Sequence, residues 1–117
     1  MRYQDLIEAG KKASKQSAIG LYSAKLKAIA LYTESLCYYD GSDSLAWYYR
    51  AREYNALERY QEALYDLNRY LVGNDLILRS RIMAFYEKAK ALRALGRNEE
   101  AQRTLEKAQE LMPGFEP

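Results

Sequence analysis

The chain has 117 residues, of which 49% are hydrophobic and 29% are charged, and this length suits a single domain. Its net charge of +2 is too close to zero to indicate, by itself, a protein that binds nucleic acids or membrane surfaces. There is no histidine, and Cys37, the lone cysteine, can form no internal disulfide, which fits a reducing compartment. No apolar run approaches membrane-spanning length, and the first residues lack the apolar core of a signal peptide. We therefore predict a cytoplasmic protein with no membrane association.

Apolar residues recur with helical spacing along the chain, whereas the alternation typical of strands never persists. We therefore predict an all-α protein that forms one domain over residues 1–117. The helices group into three hairpins, predicted at about residues 3–39, 44–71 and 76–111. Gly20 is expected to mark the break inside the first hairpin, and Gly73-Asn74-Asp75 is expected to end the second hairpin and to cap the next helix.

Turn residues also predict where the other helices begin. The segment 40–43 is the clearest turn in the chain, and Ser42 or Asp43 is expected to cap the third helix. Gly96 is expected to end the fifth helix, and Asn98 to cap the sixth.

Two segments of the chain carry the same spacing of bulky and small residues. Trp47 is followed 16 residues later by Ala63, and Phe85 is followed 16 residues later by Ala101. With Ala28 included, the alanines that follow the turns recur at nearly equal intervals along the chain. Small residues at such positions allow helices to approach closely, and a regular recurrence of this kind is typical of stacked supersecondary units.

A longer set of residues follows the same order in both segments. The second hairpin has Trp47, Arg50, Ala51, Tyr54, Ala63, Leu67 and Asp75, and the third has Phe85, Lys88, Ala89, Leu92, Ala101, Leu105 and Pro113. This pattern resembles the tetratricopeptide repeat (TPR) family, whose repeat reads W-x2-L-G-x2-Y, then A-x3-F, then P. The resemblance covers residues 44–114 and implies a TPR-like α-solenoid of three stacked antiparallel hairpins. The first repeat is degenerate and its hairpin longer, with 18 residues from Gly10 to Ala28 against 12 from Ala51 to Ala63.

In the TPR family the first helix of each repeat lines a concave groove. By that resemblance the groove residues here are Lys11, Leu45, Tyr48, Tyr49, Arg52, Asn55, Met83, Tyr86, Glu87, Lys90 and Arg93. Tyrosines interleaved with basic residues suit a peptide or protein partner that carries acidic and aromatic groups. The alternative is that the tyrosines only shield helix contacts and the basic side chains are solvated. Binding of acidic chaperone tails is not implied, because Tyr49, Met83 and Glu87 occupy the positions of the family's Asn and Lys/Arg clamp.

The sequence contains no paired-cysteine metal motif and no glycine-rich phosphate loop. We predict a protein–protein interaction scaffold that has no catalytic activity, metal or cofactor. One alternative is a structural or assembly module that docks to a larger protein or forms a homodimer through the third hairpin. It rests on the absence of a further helix to cover Leu105, Leu111, Met112 and Phe115. The other alternative is an RNA-binding helical repeat, against which the near-neutral charge argues.

Overall fold

Six α-helices make up most of the chain that the computed structural model describes, which comprises residues 2–15, 21–73 and 77–115. They are α1 (Tyr3–Lys15), α2 (Leu21–Tyr38), α3 (Leu45–Ala56), α4 (Tyr60–Leu71), α5 (Leu78–Ala94) and α6 (Asn98–Leu111). The described residues contain no β-strand, which confirms the all-α prediction. The predicted break at Gly20 and the predicted cap residues Asn74 and Asp75 lie outside the described ranges.

Ser44 caps the N-terminus of α3. Its side-chain oxygen accepts a hydrogen bond from the backbone N–H of Ala46 at 3.3 Å. The prediction that Ser42 or Asp43 caps this helix is therefore wrong. The Ser44 N–H donates to the Gly41 carbonyl at 2.9 Å, so a four-residue turn closes before the helix begins.

A tight turn joins α3 to α4. Glu58 adopts a positive φ of 61°, a conformation that is uncommon for a residue other than glycine. Its N–H donates to the Asn55 carbonyl at 3.0 Å, and the Arg59 N–H donates to the Tyr54 carbonyl at 2.8 Å. This pair of hydrogen bonds defines a Schellman motif, which satisfies two of the last carbonyls of α3.

The turn between α5 and α6 repeats this geometry in the next hairpin. Gly96 has a φ of 79°, its N–H donates to the Arg93 carbonyl at 3.0 Å, and the Arg97 N–H donates to the Leu92 carbonyl at 2.8 Å. Gly96 therefore ends the α5 segment as predicted. The prediction that Asn98 caps α6 is wrong, because Arg97 precedes the helix without a side-chain cap and Asn98 is its first residue.

Helices that are consecutive in the chain pack side by side. The most extensive contacts pair α1 with α2, α3 with α4, and α5 with α6, while α2 with α3 and α4 with α5 join one pair to the next. The alanines expected at the close approaches are buried: Ala51 and Ala63 in the second pair, and Ala89 and Ala101 in the third. Their small side chains bring the helix backbones close together, as the spacing of the sequence predicted.

In the first pair a glycine takes the place of such an alanine. Gly10 of α1 faces the ring of Tyr32 of α2, which is itself buried. A β-carbon at position 10 would lie only 2.6 Å from Cε1 of that ring. The missing side chain thus makes room for a tyrosine inside the core.

Trp47 is buried, as its place in the repeated pattern predicted. Its indole Nε1 donates to the carbonyls of Asp40 and Gly41, at 3.3 and 3.1 Å. The guanidinium groups of Arg50 and Arg69 lie 5.4 and 5.3 Å from the indole centroid. The indole ring is therefore well packed, and its single N–H group has hydrogen-bond acceptors.

The segment after α6 folds back onto the third helix pair. Met112 and Phe115 pack against the buried cluster of Ile82, Phe85 and Ala108. This contact covers part of the face that was expected to be uncovered at the C-terminal end of the described chain, while Leu111 remains 40% exposed.

Candidate functional site

Tyr49 of α3 lies at the centre of a group of rings and cations that we call the tyrosine–cation cluster. Its ring stacks on Tyr32 at a centroid distance of 5.8 Å and lies 5.3 Å from the ring of Tyr48. Lys11 of α1 places its Nζ 5.1 Å from the Tyr49 centroid, and the Arg52 guanidinium lies 6.0 Å from it. The helices α1 and α3 therefore each place a cation near the same aromatic ring.

The members of the tyrosine–cation cluster differ in burial, from buried to exposed. Tyr48 is buried, and its ring also packs against Tyr70 at 6.0 Å. Burial raises the pKa of the Tyr48 hydroxyl, and Arg52 opposes that shift only in part, so the phenol stays neutral around pH 7. Tyr49 and Lys11 are half-buried and Arg52 is exposed. The Lys11 ammonium also lies 3.7 Å from a carboxylate oxygen of Glu8.

Leu45 and Asn55 lie at opposite ends of α3. Leu45 is half-buried and packs against the buried cluster that includes Tyr32, Trp47 and Leu67, which we call the main core. Asn55 is buried, and its Nδ2 donates to the Glu87 carbonyl of α5 at 3.1 Å. Its Oδ1 accepts no hydrogen bond from any residue in the described ranges. Asn55 therefore connects α3 to α5, where the sequence had assigned it to the lining of a groove.

The predicted groove residues of α5 point in different directions. Met83 is half-buried and packs against the main core, whereas Lys90 and Arg93 are exposed. Tyr86 is turned toward the C-terminal segment, because its hydroxyl donates to the Phe115 carbonyl at 2.9 Å and its ring lies 6.1 Å from the Phe115 ring. Of the predicted residues, the structure thus gathers Lys11, Tyr48, Tyr49 and Arg52 into one cluster, whereas Tyr86 contacts the tail.

A buried ion pair joins α3 to α4, and the sequence analysis did not predict it. Arg50 Nε and Nη2 donate to the two carboxylate oxygens of Asp66 at 2.8 and 2.7 Å. The side chain of Asp66 is only 1% exposed, and a further nitrogen of Arg50 donates to the Thr33 hydroxyl at 3.1 Å. Burial raises the pKa of the Asp66 carboxyl, against the opposing hydrogen bonds from Arg50.

Spacing carried a signal for this pair. Arg50 and Asp66 are 16 residues apart, the same interval as Trp47 and Ala63, and Asp66 follows Ala63 on the buried face of α4. A second ion pair, Lys25 Nζ to Glu53 Oε2 at 3.3 Å, joins α2 to α3. Neither pair was predicted from the sequence.

No group of three or more histidine, cysteine, aspartate or glutamate side chains is arranged to hold a metal ion within residues 2–15, 21–73 and 77–115. Cys37 is exposed. Over the same residues, none of the helices combines the length and the apolar character needed to cross a membrane.

Comparisons of this chain with protein-family models, with curated proteins and with solved structures found no match. Function is therefore inferred from the geometry of the chain, in particular from the tyrosine–cation cluster.

Proposed function

We propose that this chain is a TPR-like α-solenoid of three stacked antiparallel hairpins, and that it is a non-catalytic scaffold that binds a peptide or protein partner. The order of helix packing supports this architecture, since each helix contacts its neighbours in the chain and α3 also contacts α1 and α5. Connections of three residues, 57–59 and 95–97, favour an antiparallel arrangement within the second and third pairs.

The recurrence of local detail also supports a repeat protein. The Schellman turns after α3 and α5 have matching hydrogen bonds at equivalent positions of the two hairpins. Each turn is followed by an arginine that pairs with a glutamate three residues later, Arg59 with Glu62 and Arg97 with Glu100. Such agreement in both backbone and side chains is expected when one supersecondary unit is used twice.

The observation that carries the binding proposal is the placement of Lys11 and Arg52 around Tyr49. Lys11 and Arg52 can both form charge-assisted hydrogen bonds with an acidic side chain of a partner. The half-exposed ring of Tyr49 can pack against an aromatic side chain of the partner. The ordering of long basic side chains against the rings lowers the conformational entropy that binding would cost. We therefore infer that the partner presents acidic and aromatic residues in a short extended or helical segment.

Selection of short displayed peptides against the full chain tests this proposal. We expect the selected peptides to be enriched in Asp or Glu together with aromatic residues. Their affinity, measured by fluorescence anisotropy, should fall more than tenfold for a Lys11→Glu, Arg52→Glu double variant, because two charge-assisted contacts are reversed. The matched control is Lys27→Glu, which reverses an exposed charge on α2 and should leave the affinity unchanged.

The thermal midpoint of the double variant should fall only slightly, since Arg52 is exposed and the half-buried Lys11 forms only a surface ion pair with Glu8. Peptides without acidic residues, or an affinity that is equal in the double variant and the parent, would place the binding surface elsewhere.

A further inference from the structure

A cleft of about 240 Å³ opens where α4, α5 and α6 meet, away from the tyrosine–cation cluster. Four basic side chains and one carboxylate line it: Lys88, Arg97, Arg103, Lys107 and Glu100. Glu100 is paired with Arg97. Lys88, Arg103 and Lys107 form no ion pair with any residue in the described part of the chain. The cleft therefore carries an excess of positive charge that its own lining does not neutralise.

The repeated hairpin explains how this excess arises. Lys88 and Thr104 are 16 residues apart and occupy, in the third hairpin, the positions that Arg50 and Asp66 occupy in the second. In the second hairpin the protein itself supplies the carboxylate, because both oxygens of Asp66 accept hydrogen bonds from Arg50. In the third hairpin the position of the carboxylate is taken by Thr104, whose hydroxyl donates to the Glu100 carbonyl at 2.8 Å. The third hairpin thus keeps the cation and lacks the anion.

Lys88 is the least exposed of the cations in this cleft. Burial lowers the pKa of its ammonium group, and the nearby charge of Lys107 adds to the shift. An anion bound between these two lysines would relieve both effects, since it would replace lost hydration and screen their repulsion.

We propose that this cleft is a binding site for a phosphate group, supplied either as free phosphate or as a phosphate monoester. Three cations without an internal partner match a dianion better than the single charge of a carboxylate. Arg103 contributes a planar donor fork and the two lysines contribute point charges, and Asn68 adds a neutral amide at the same cleft. This site is independent of the peptide-binding proposal, because it shares no residue with the tyrosine–cation cluster.

Titrations of the full isotope-labelled chain, followed by amide chemical shifts at constant ionic strength, test the proposal. The probes are inorganic phosphate, O-phosphoserine and acetate. We expect saturable shifts centred on residues 88, 104 and 107 with either phosphate compound and much smaller shifts with acetate. Binding of inorganic phosphate alone would identify a free-anion site, whereas tighter binding of O-phosphoserine would identify a monoester as the ligand. Equal responses to acetate and phosphate, or shifts spread over all basic residues without saturation, would overturn it.

Two substitutions make the test specific. Lys88→Gln should weaken phosphate binding about tenfold, as expected for the loss of one charge-assisted hydrogen bond, whereas the matched charge removal Lys27→Gln on α2 should not. Thr104→Asp should restore the carboxylate of the second hairpin and abolish phosphate binding. Thr104→Asn, which adds no charge, should retain binding. Unaltered phosphate binding in Thr104→Asp would refute the proposal, even if Lys88→Gln failed to fold.

Discussion

Replacing one member of the Arg50–Asp66 ion pair should destabilise the protein far more than replacing both. Asp66→Asn preserves the shape of the side chain but leaves the Arg50 guanidinium, whose side chain is only 14% exposed, without its carboxylate. Removing one partner from a buried pair typically costs about 3–5 kcal/mol, because an uncompensated charge remains in a poorly hydrated place. That is a large part of the roughly 5–15 kcal/mol that stabilises a typical domain.

The double variant Arg50→Met, Asp66→Leu removes both charges and keeps most of the volume. Burial raises the pKa of the Asp66 carboxyl in spite of Arg50, whereas the hydrogen bonds to Asp66 keep the pKa of Arg50 raised in spite of burial. The double variant is therefore expected to lie within about 1 kcal/mol of the parent or to be more stable, as found when buried ion pairs are replaced by apolar residues. Lost contact between Arg50 and the rings of Trp47 and Tyr54 is the main opposing contribution.

Urea unfolding, followed in parallel by far-ultraviolet circular dichroism and by Trp47 fluorescence, gives the free energies of unfolding of Asp66→Asn, of the double variant and of its two component changes made singly, Arg50→Met and Asp66→Leu. The control is Glu62→Gln at the exposed pair with Arg59, which should lie within the error of the measurement. A loss below about 1 kcal/mol for Asp66→Asn would show that this site is well hydrated in solution. A double variant as unstable as the sum of the single changes would show that the two side chains are not coupled.

The other predictions concern the backbone and the tail. Glu58→Gly should raise the free energy of unfolding by about 1 kcal/mol, because a side chain at positive φ is strained, and Gly96→Ala should lower it; opposite signs in urea unfolding would contradict this. Gly10→Ala should cost about 1–3 kcal/mol because the methyl group would displace the packed ring of Tyr32, and a thermal midpoint at or above that of the parent would contradict it. Phe115→Ala should increase concentration-dependent self-association by uncovering apolar surface on the third helix pair; equal masses in light scattering would contradict it.

Apolar periodicity and turn chemistry were sufficient to predict the helices. Each observed helix lies where a stripe of apolar residues recurs with helical spacing, and the buried alanines follow from the repeated interval between bulky and small residues. Cap residues were less accurate, because Ser42, Asp43 and Ser44 are all suitable chemically. The hydrogen bond that the Ser44 side chain accepts from the Ala46 N–H identifies Ser44 as the cap of α3.

The candidate site was less predictable than the fold. Lys11, Tyr49 and Arg52, which the pattern assigned to one groove, lie close together, but the pattern could not show how α5 packs on the end of α3. As a result, Asn55 is buried in a contact with α5, whereas the pattern assigned it to the lining of the groove. The direction of Tyr86 depends on a hydrogen bond to Phe115, 29 residues away, and helix periodicity contains no information on such tail contacts.

The hydrogen bond from Asn55 to the Glu87 carbonyl bears on the stiffness of the protein. It links a side chain near the end of α3 to a carbonyl in the middle of α5, so bending that separates these helices must stretch it first. Between α1 and α3 the corresponding contact is the Lys11 ammonium over the Tyr49 ring, which tolerates sliding because it has no fixed direction. The contact between α3 and α5 should therefore keep its geometry better than the contact between α1 and α3, whereas the directional contacts of Arg50 with Thr33 and of Lys25 with Glu53 hold α2 against α3.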